Sequence, residues 1–289
     1  MLRHVSTALV SLALVGAAPA LAKPVPTDLA RIGKWEVNYD KDSCRLFGKF
    51  GTDKNEIIAQ FTRFEPSDSM ELRLYGQSLK VDGQFFPVAF DFGPQENLQK
   101  RQALVGSSGK VPMVLFGRVR LDDWSQTKPS DVAPPMAPAD EAKVTTLTVK
   151  APTGKWYRLA LGRMDTPMAA LRRCTTDLVR SWGYDPSVMA ALKSRPNPVG
   201  SPGKWVNFED YPKTMLAKSA NALIQFRLDV DAGGTVAGCS ILSQAGETEF
   251  ADTTCKLLSK RAKFVPALDA EGKPTRSYYI SSVRWTVGA

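Results

Sequence analysis

Hydrophobic and polar positions alternate in short bursts through the first two-thirds of the chain. In ELRLYG (71–76) and TTLTVK (145–150) apolar and polar residues take turns, as in a strand with one buried face. Runs of this kind predict strands at Trp35–Tyr39, Cys44–Phe50, Glu56–Phe64, Met70–Tyr75, Phe85–Phe92, Met113–Leu121, Val144–Lys150 and Trp156–Leu161. Gly, Pro, Asp or Asn separates most of them. Short strands at such spacing predict a sandwich or a partly closed barrel. The period then changes. Met168, Leu171, Cys174, Leu178 and Trp182 recur at helical spacing, with Thr166 as N-cap, Pro167 at the first helical position and Gly183 as the stop.

The last third repeats the exercise on a smaller scale. Tyr211 to Ala220 can form a short helix. Ile224, Phe226, Leu228 and Val230 share one face of a strand, and Gln225, Arg227 and Asp229 the other. Asp231-Ala232-Gly233-Gly234 is a turn and TVAGCSIL a second strand, which predicts a hairpin. A helix follows from about Thr248 to Ala262, with Glu249 and Asp252 early and Lys256, Lys260 and Arg261 late, matching the helix dipole. The last strand, Ser277 to Val287, puts Tyr279, Val283, Trp285 and Val287 on one face.

Two stretches break these patterns: KPSDVAPPMAP (128–138) and SRPNPVGSPGK (194–204). The first fits a long loop within a unit, the second a junction between units. The predicted class is α+β. A strand-rich unit with a closing helix spans 23–195, a Pro/Gly linker 196–210, and a small helix-strand-strand-helix-strand unit 211–289.

Residues 1–22 have an export pattern. Arg3 precedes an apolar run from Val5 to Ala18, and Ala20-Leu21-Ala22 offers a small-x-small cleavage site before Lys23. The run is shorter than the roughly 20 residues a spanning helix needs, so the expectation is a cleaved signal, a periplasmic location and no integral span afterwards. In an oxidising compartment four cysteines favour disulfides and allow three pairings. Locality and the division into units favour Cys239–Cys255 and Cys44–Cys174, with buried free thiols as the alternative for the second pair. No C-x-x-C occurs, which disfavours a zinc site. No metal or cofactor is expected.

The one histidine, His4, falls in the export segment, so the mature chain is denied His-dependent triads and His-ligated zinc. The chain carries 38 Lys+Arg against 29 Asp+Glu. The excess sits in 23–204, with 27 basic and 20 acidic residues, and favours a mildly basic solvated surface. Nucleic acid is excluded as a partner on grounds of compartment.

The stretch from Tyr211-Pro212 resembles the C-terminal domain of TonB-family proteins. The features carrying the resemblance are that opening motif, the hairpin with its Gly turn, Gly246 ahead of the second helix, Asp252 within it, Phe264-x-Pro266-Ala267, Gly272 and Trp285. It covers about 211–287. The resemblance implies binding of an envelope protein, such as an outer-membrane receptor, by strand addition along the last strand. The edge so implied comprises Arg276, Ser277, Tyr278, Ile280, Ser282 and Arg284. The chain also departs from the family. It has no spanning helix carrying a histidine, its Pro/Gly stretch reaches at most roughly 35 Å, Ala222 stands where the family usually has Gly, and Cys239 and Cys255 are additions.

Enzyme motifs fail on inspection. GSSGK (106–110) has Leu104 and Val111 where a phosphate loop needs Gly and Ser or Thr, and predicts a hairpin turn. Asp229-x-Asp231-x-Gly233 reaches Ser240 where a calcium loop needs Glu. The acidic pairs Asp122-Asp123 and Asp140-Glu141 flank the Pro-rich loop. The expectation is a non-catalytic envelope binding protein linked to outer-membrane transport. The alternative is a secreted hydrolase using first-unit carboxylates, with the TonB-like unit as docking module.

Overall fold

The computed structural model describes residues 25–94, 97–124 and 133–287. The export segment 1–22 and residues 128–132 of the Pro-rich loop lie outside them. Ten strands of the described residues form one sheet: β1 (Thr27–Leu29), β2 (Arg31–Tyr39), β3 (Cys44–Phe50), β4 (Ile57–Arg63), β5 (Met70–Tyr75), β6 (Phe85–Asp91), β7 (Gln99–Ser108), β8 (Val111–Val119), β9 (Thr146–Lys150) and β10 (Trp156–Ala160). Their order is β1-β10-β9-β6-β7-β8-β5-β4-β3-β2. The two end strands are consecutive in the chain, separated by Ala30 alone, so the sheet curls into a nearly closed barrel. Trp35 Nε1 and Arg31 Nη1 donate to Leu161 O across the seam, at 3.2 and 2.6 Å. Closure removes exposed edges, and the inward alternation buries one core from Leu46, Phe61 and Phe90 to Tyr157 and Leu159.

A short α1 (Pro138–Glu141) and the long α2 (Asp165–Ser181) follow the barrel strands. Helix α2 buries Met168, Leu171, Cys174 and Leu178 in the barrel core. Cys174 is bonded to Cys44 of β3, which staples the helix to the sheet. The helix starts at Asp165, one residue before the expected cap. Thr166 lies inside its first turn, and Pro167 is its third residue. An acid is favoured at that end of the helix dipole, and Asp165 also pairs with Arg163 at 3.1 Å.

Beyond α2 the chain adds α3 (Pro186–Ala190) and β11 (Asn197–Pro198), and the C-terminal unit then supplies α4 (Lys213–Ala217), β12 (Ala222–Val230), β13 (Val236–Ala245), α5 (Thr248–Arg261), β14 (Phe264–Val265), β15 (Ala267–Leu268), β16 (Pro274–Thr275) and β17 (Ser277–Trp285). Three of these make an antiparallel sheet ordered β13-β12-β17. Helix α5 packs on the face carrying Phe226, Leu228 and Val283. Cys239 of β13 is bonded to Cys255 of α5. Gly246 (φ +116°) turns the chain from β13 toward α5, and a Cβ there would stand 2.7 Å from the Cβ of Ala222.

The 196–210 segment is no slack tether. β11 pairs with β14, Val199 N donates to Lys263 O at 2.8 Å, and Trp205 is buried among Phe264, Tyr279 and Phe226. Nor does the polar face of the small sheet meet solvent throughout. Trp182 and Tyr184, just past α2, pack edge-on against Tyr278, each at 5.4 Å. The Tyr184 hydroxyl lies 2.9 Å from both Asp229 Oδ1 and Ser277 O, and burial together with Asp229 pushes its pKa up. Arg73 of β5 donates to Ser243 Oγ at 3.1 Å, and Gln84 meets Asn221. This cover explains why Gln225 and Arg227 are buried although the alternation of β12 marks them as outward-facing.

Candidate partner-binding site

Strand β17 has one strand neighbour among the described residues, β12, paired from Ala222↔Trp285 to Val230↔Ser277. Its free side opens on a groove of about 640 Å³. One wall is the segment from Pro202 to Tyr211, the other runs from Ser281 to Val287, and Phe226 and Leu258 lie beneath. Residues of both alternations, Ser281, Val283 and Trp285 as well as Ser282 and Arg284, border it, so the backbone of the strand faces the opening. An unpaired edge offers a row of N–H and C=O groups to another chain.

The groove is built stiffly. Tyr211 packs edge-on against both Phe250 and Trp285 at 5.5 Å, contacts worth about 0.5–1.5 kcal/mol each beyond burial. Its hydroxyl donates to Ala220 O, and burial raises its pKa. Pro212 is buried beside it and leads into α4. Trp285 Nε1 donates to Thr254 Oγ1 at 3.0 Å, which satisfies the buried indole. Arg261, in the last turn of α5, grips Asp210 with both terminal nitrogens at 2.6 and 2.8 Å and donates to Trp205 O at 3.1 Å. That pairing holds the Asp210 carboxyl below the usual carboxylate range. The far wall is thereby tied to the helix. Phe208 stands on it with 64% of its surface exposed, an apolar ring on the lip of an apolar groove.

The structure divides the predicted edge residues. Arg276 stacks over the Tyr184 ring at 4.6 Å and donates to Gly183 O; Ser277 and Tyr278 are buried under the barrel's closing helix. Ile280 is half-buried, while Ser282 and Arg284 are exposed. The accessible edge is therefore the second half of β17, from Ile280 onward. Sequence reasoning missed the far wall, because Pro and Gly mark 196–210 as a junction without saying what it packs on. The aromatic residues at every third position, Trp205, Phe208 and Tyr211, were the signal to follow.

A second concavity of about 270 Å³ lies on the other face of β17, between the barrel and the small sheet. Glu65, Glu71 and Arg118 of the barrel line it opposite Gln225, Ile280 and Arg284. Burial pushes the Glu65 carboxyl up, opposed by Arg195 and Arg118.

Of the four carboxylates in the two acidic pairs flanking the Pro-rich loop, three are paired with cations. Asp122 takes both prongs of Arg120 at 2.8 and 2.6 Å, Asp140 pairs with Lys143 at 2.7 Å, and Glu141 pairs with Arg172 at 2.5 Å. Asp123 is the exception. Burial pushes its pKa up to about 7, and Phe92 N donates to it at 3.3 Å. Of the described residues lining the cavity beside it, Asp123 is the one carboxylate. In the expected calcium-like turn, Asp231 accepts from Gly233 N and Thr235 N at 2.9 and 2.8 Å, so that carboxylate caps its own loop. Among the described residues no cluster of three His, Cys, Asp or Glu is placed to hold a metal, and no helix is long and apolar enough to cross a membrane.

Residues 209–287 match the family model of the Gram-negative bacterial TonB protein C-terminal domain. The match takes in α4, the three-stranded sheet and α5. No match was found among curated proteins or among solved structures. The C-terminal unit is therefore TonB-like, a kind of domain concerned with protein partners in the cell envelope. The two disulfides accord with that setting.

Proposed function

We propose that this chain is a periplasmic protein, released by cleavage after Ala22, that captures an extended segment of an outer-membrane transport protein. The segment adds a strand to β17, and the reading is of a binding protein rather than an enzyme. One observation carries it: on the side away from β12, the second half of β17 has no strand neighbour among the described residues and borders an apolar groove. The hydrolase alternative is left with Asp123, whose cavity supplies no second carboxylate from the described residues, and with Glu65 and Glu71 in the cleft, each already held by an arginine.

The test uses the alternation of strand hydrogen bonds. Of two adjacent residues, one N–H faces β12 and the other faces the groove. Ser281→Pro and Ser282→Pro in the full chain should differ accordingly. One breaks the pairing to β12 and lowers the melting temperature. The other leaves stability nearly unchanged and abolishes capture of the outer-membrane partner from solubilised envelope. Full capture by the stable proline variant would refute strand addition at this edge.

A further inference from the structure

The groove and the interdomain cleft flank the same short stretch of β17, and both are bordered by Ser281, Ser282 and Arg284. A strand laid along this edge sends successive side chains to opposite faces. One set enters the groove, among Trp205, Phe226, Val283 and Trp285; the other enters the cleft. The accessible stretch from Ile280 to Trp285 spans about 20 Å at the usual rise per residue.

The two sides differ in chemistry. The groove is aromatic and aliphatic. In the cleft, Glu65 is already held by Arg195 at 3.4 Å and Glu71 by Arg73 at 2.6 Å. Arg118 and Arg284 also line it, are exposed, and have no carboxylate within 4.0 Å among the described residues. The cleft is thus lined by two carboxylates and two guanidiniums, but each carboxylate is already paired with an arginine outside the lining, which leaves Arg118 and Arg284 as surplus positive charge. Resting on the strand-addition reading above, we propose that the partner segment alternates apolar with acidic side chains, its acidic side entering the cleft between Arg118 and Arg284. Arg118 belongs to β8 of the barrel. The barrel therefore supplies half of the selectivity at an edge that the TonB-like unit provides, which gives the strand-rich unit a role.

The probes are two capped seven-residue peptides, Val alternating with Glu and Val alternating with Lys, titrated against the full mature chain. The Glu peptide should bind about tenfold more tightly at low salt, and the preference should shrink as salt screens it. Arg118→Glu combined with Arg284→Glu should reverse the order. Both positions are exposed, so the fold should survive, and Arg118→Gln alone should reduce the preference without reversing it. Equal affinity for the two peptides, a preference indifferent to the charge reversal, or failure of the Glu peptide to bind would overturn the inference. Equal affinities lost together in the stable proline variant would leave strand addition standing and remove only the acidic preference. If instead neither peptide binds and that variant captures partner normally, both readings fall.

Discussion

The guanidinium of Arg227, on the central strand of the small sheet, lies 4.3 Å from the centre of the Trp182 ring beyond α2. A cation this well covered gains about 2 kcal/mol from an aromatic face. Trp182 also packs against Tyr278, so the contact joins the two units. Trp182→Ala should lower stability in urea by about 2 kcal/mol or more. It should also open the junction at 196–210 to proteolysis, while Trp182→Phe should lose less than half as much. Equal stability of Trp182→Ala and wild type would show that the interface is held elsewhere.

The two disulfides differ in the loops they close. Cys44–Cys174 spans 130 residues and Cys239–Cys255 spans 16. On loop-entropy grounds the first stabilises by about 5 kcal/mol and the second by about 3. Replacing Cys44 and Cys174 by Ala should therefore cost more in denaturant unfolding than replacing Cys239 and Cys255. The reverse order would mean that the α5–β13 staple carries strain relief or packing that loop length does not describe.

Asp123 should make stability depend on pH. Its folded-state pKa, about 7, stands above the unfolded value near 3.9. The native state therefore binds the proton more tightly between those values. The contribution to stability is complete below about pH 4 and is lost as pH rises through 7. Asp123→Asn keeps a side chain suited to the left-handed backbone there (φ 51°) and removes the titration. The variant should show a flatter stability profile from pH 4 to 7 and exceed wild type at pH 8. Parallel profiles from thermal melts would refute the assignment.

Arg63 is among the largest fully buried side chains, and its Nε and Nη1 lack hydrogen-bond partners. Burial lowers its pKa to about 10, opposed by Asp68, whose Oδ1 lies 3.8 Å away. Removing the counterion should hurt more than removing the cation. Asp68→Ala should cost about 3 kcal/mol, whereas Arg63→Met, which fills the same space beside Met168, should cost less than about 1. Asp68 then still faces Arg120 at 4.0 Å. Equal losses in the two variants would overturn this ranking.

Much of this architecture is legible in the sequence. The alternation in β5 and β9, the hairpin of β12 and β13, the helical spacing of Met168 to Trp182 and both cysteine pairings follow from local pattern and locality. β1 and β7 do not. β1 has three residues, and β7 buries only Ala103 and Val105, with half-buried Leu104 between them, in a run whose other residues are polar or glycine, so hydrophobic period has little to register. Barrel closure depends on which strands pair across the seam at Ala30, a tertiary choice that no window of sequence contains. The site divides in the same way. The last strand follows from the alternation of Tyr279, Val283 and Trp285, and its use as an edge is implied by the TonB-family resemblance, but its occlusion at Arg276 to Tyr278 comes from Trp182 and Tyr184, about a hundred residues away in the chain.

The junction between the units bears on how a tug from outside would travel. β11 is hydrogen-bonded to β14, the chain runs directly from that bridge into the wall of the groove, and Arg261 fastens the wall to α5. Traction on a strand seated against β17 would meet no loose cord to straighten first. The load would pass by shear through β12 and the Trp182–Arg227 contact into the barrel, so the molecule would respond as one stiff bracket.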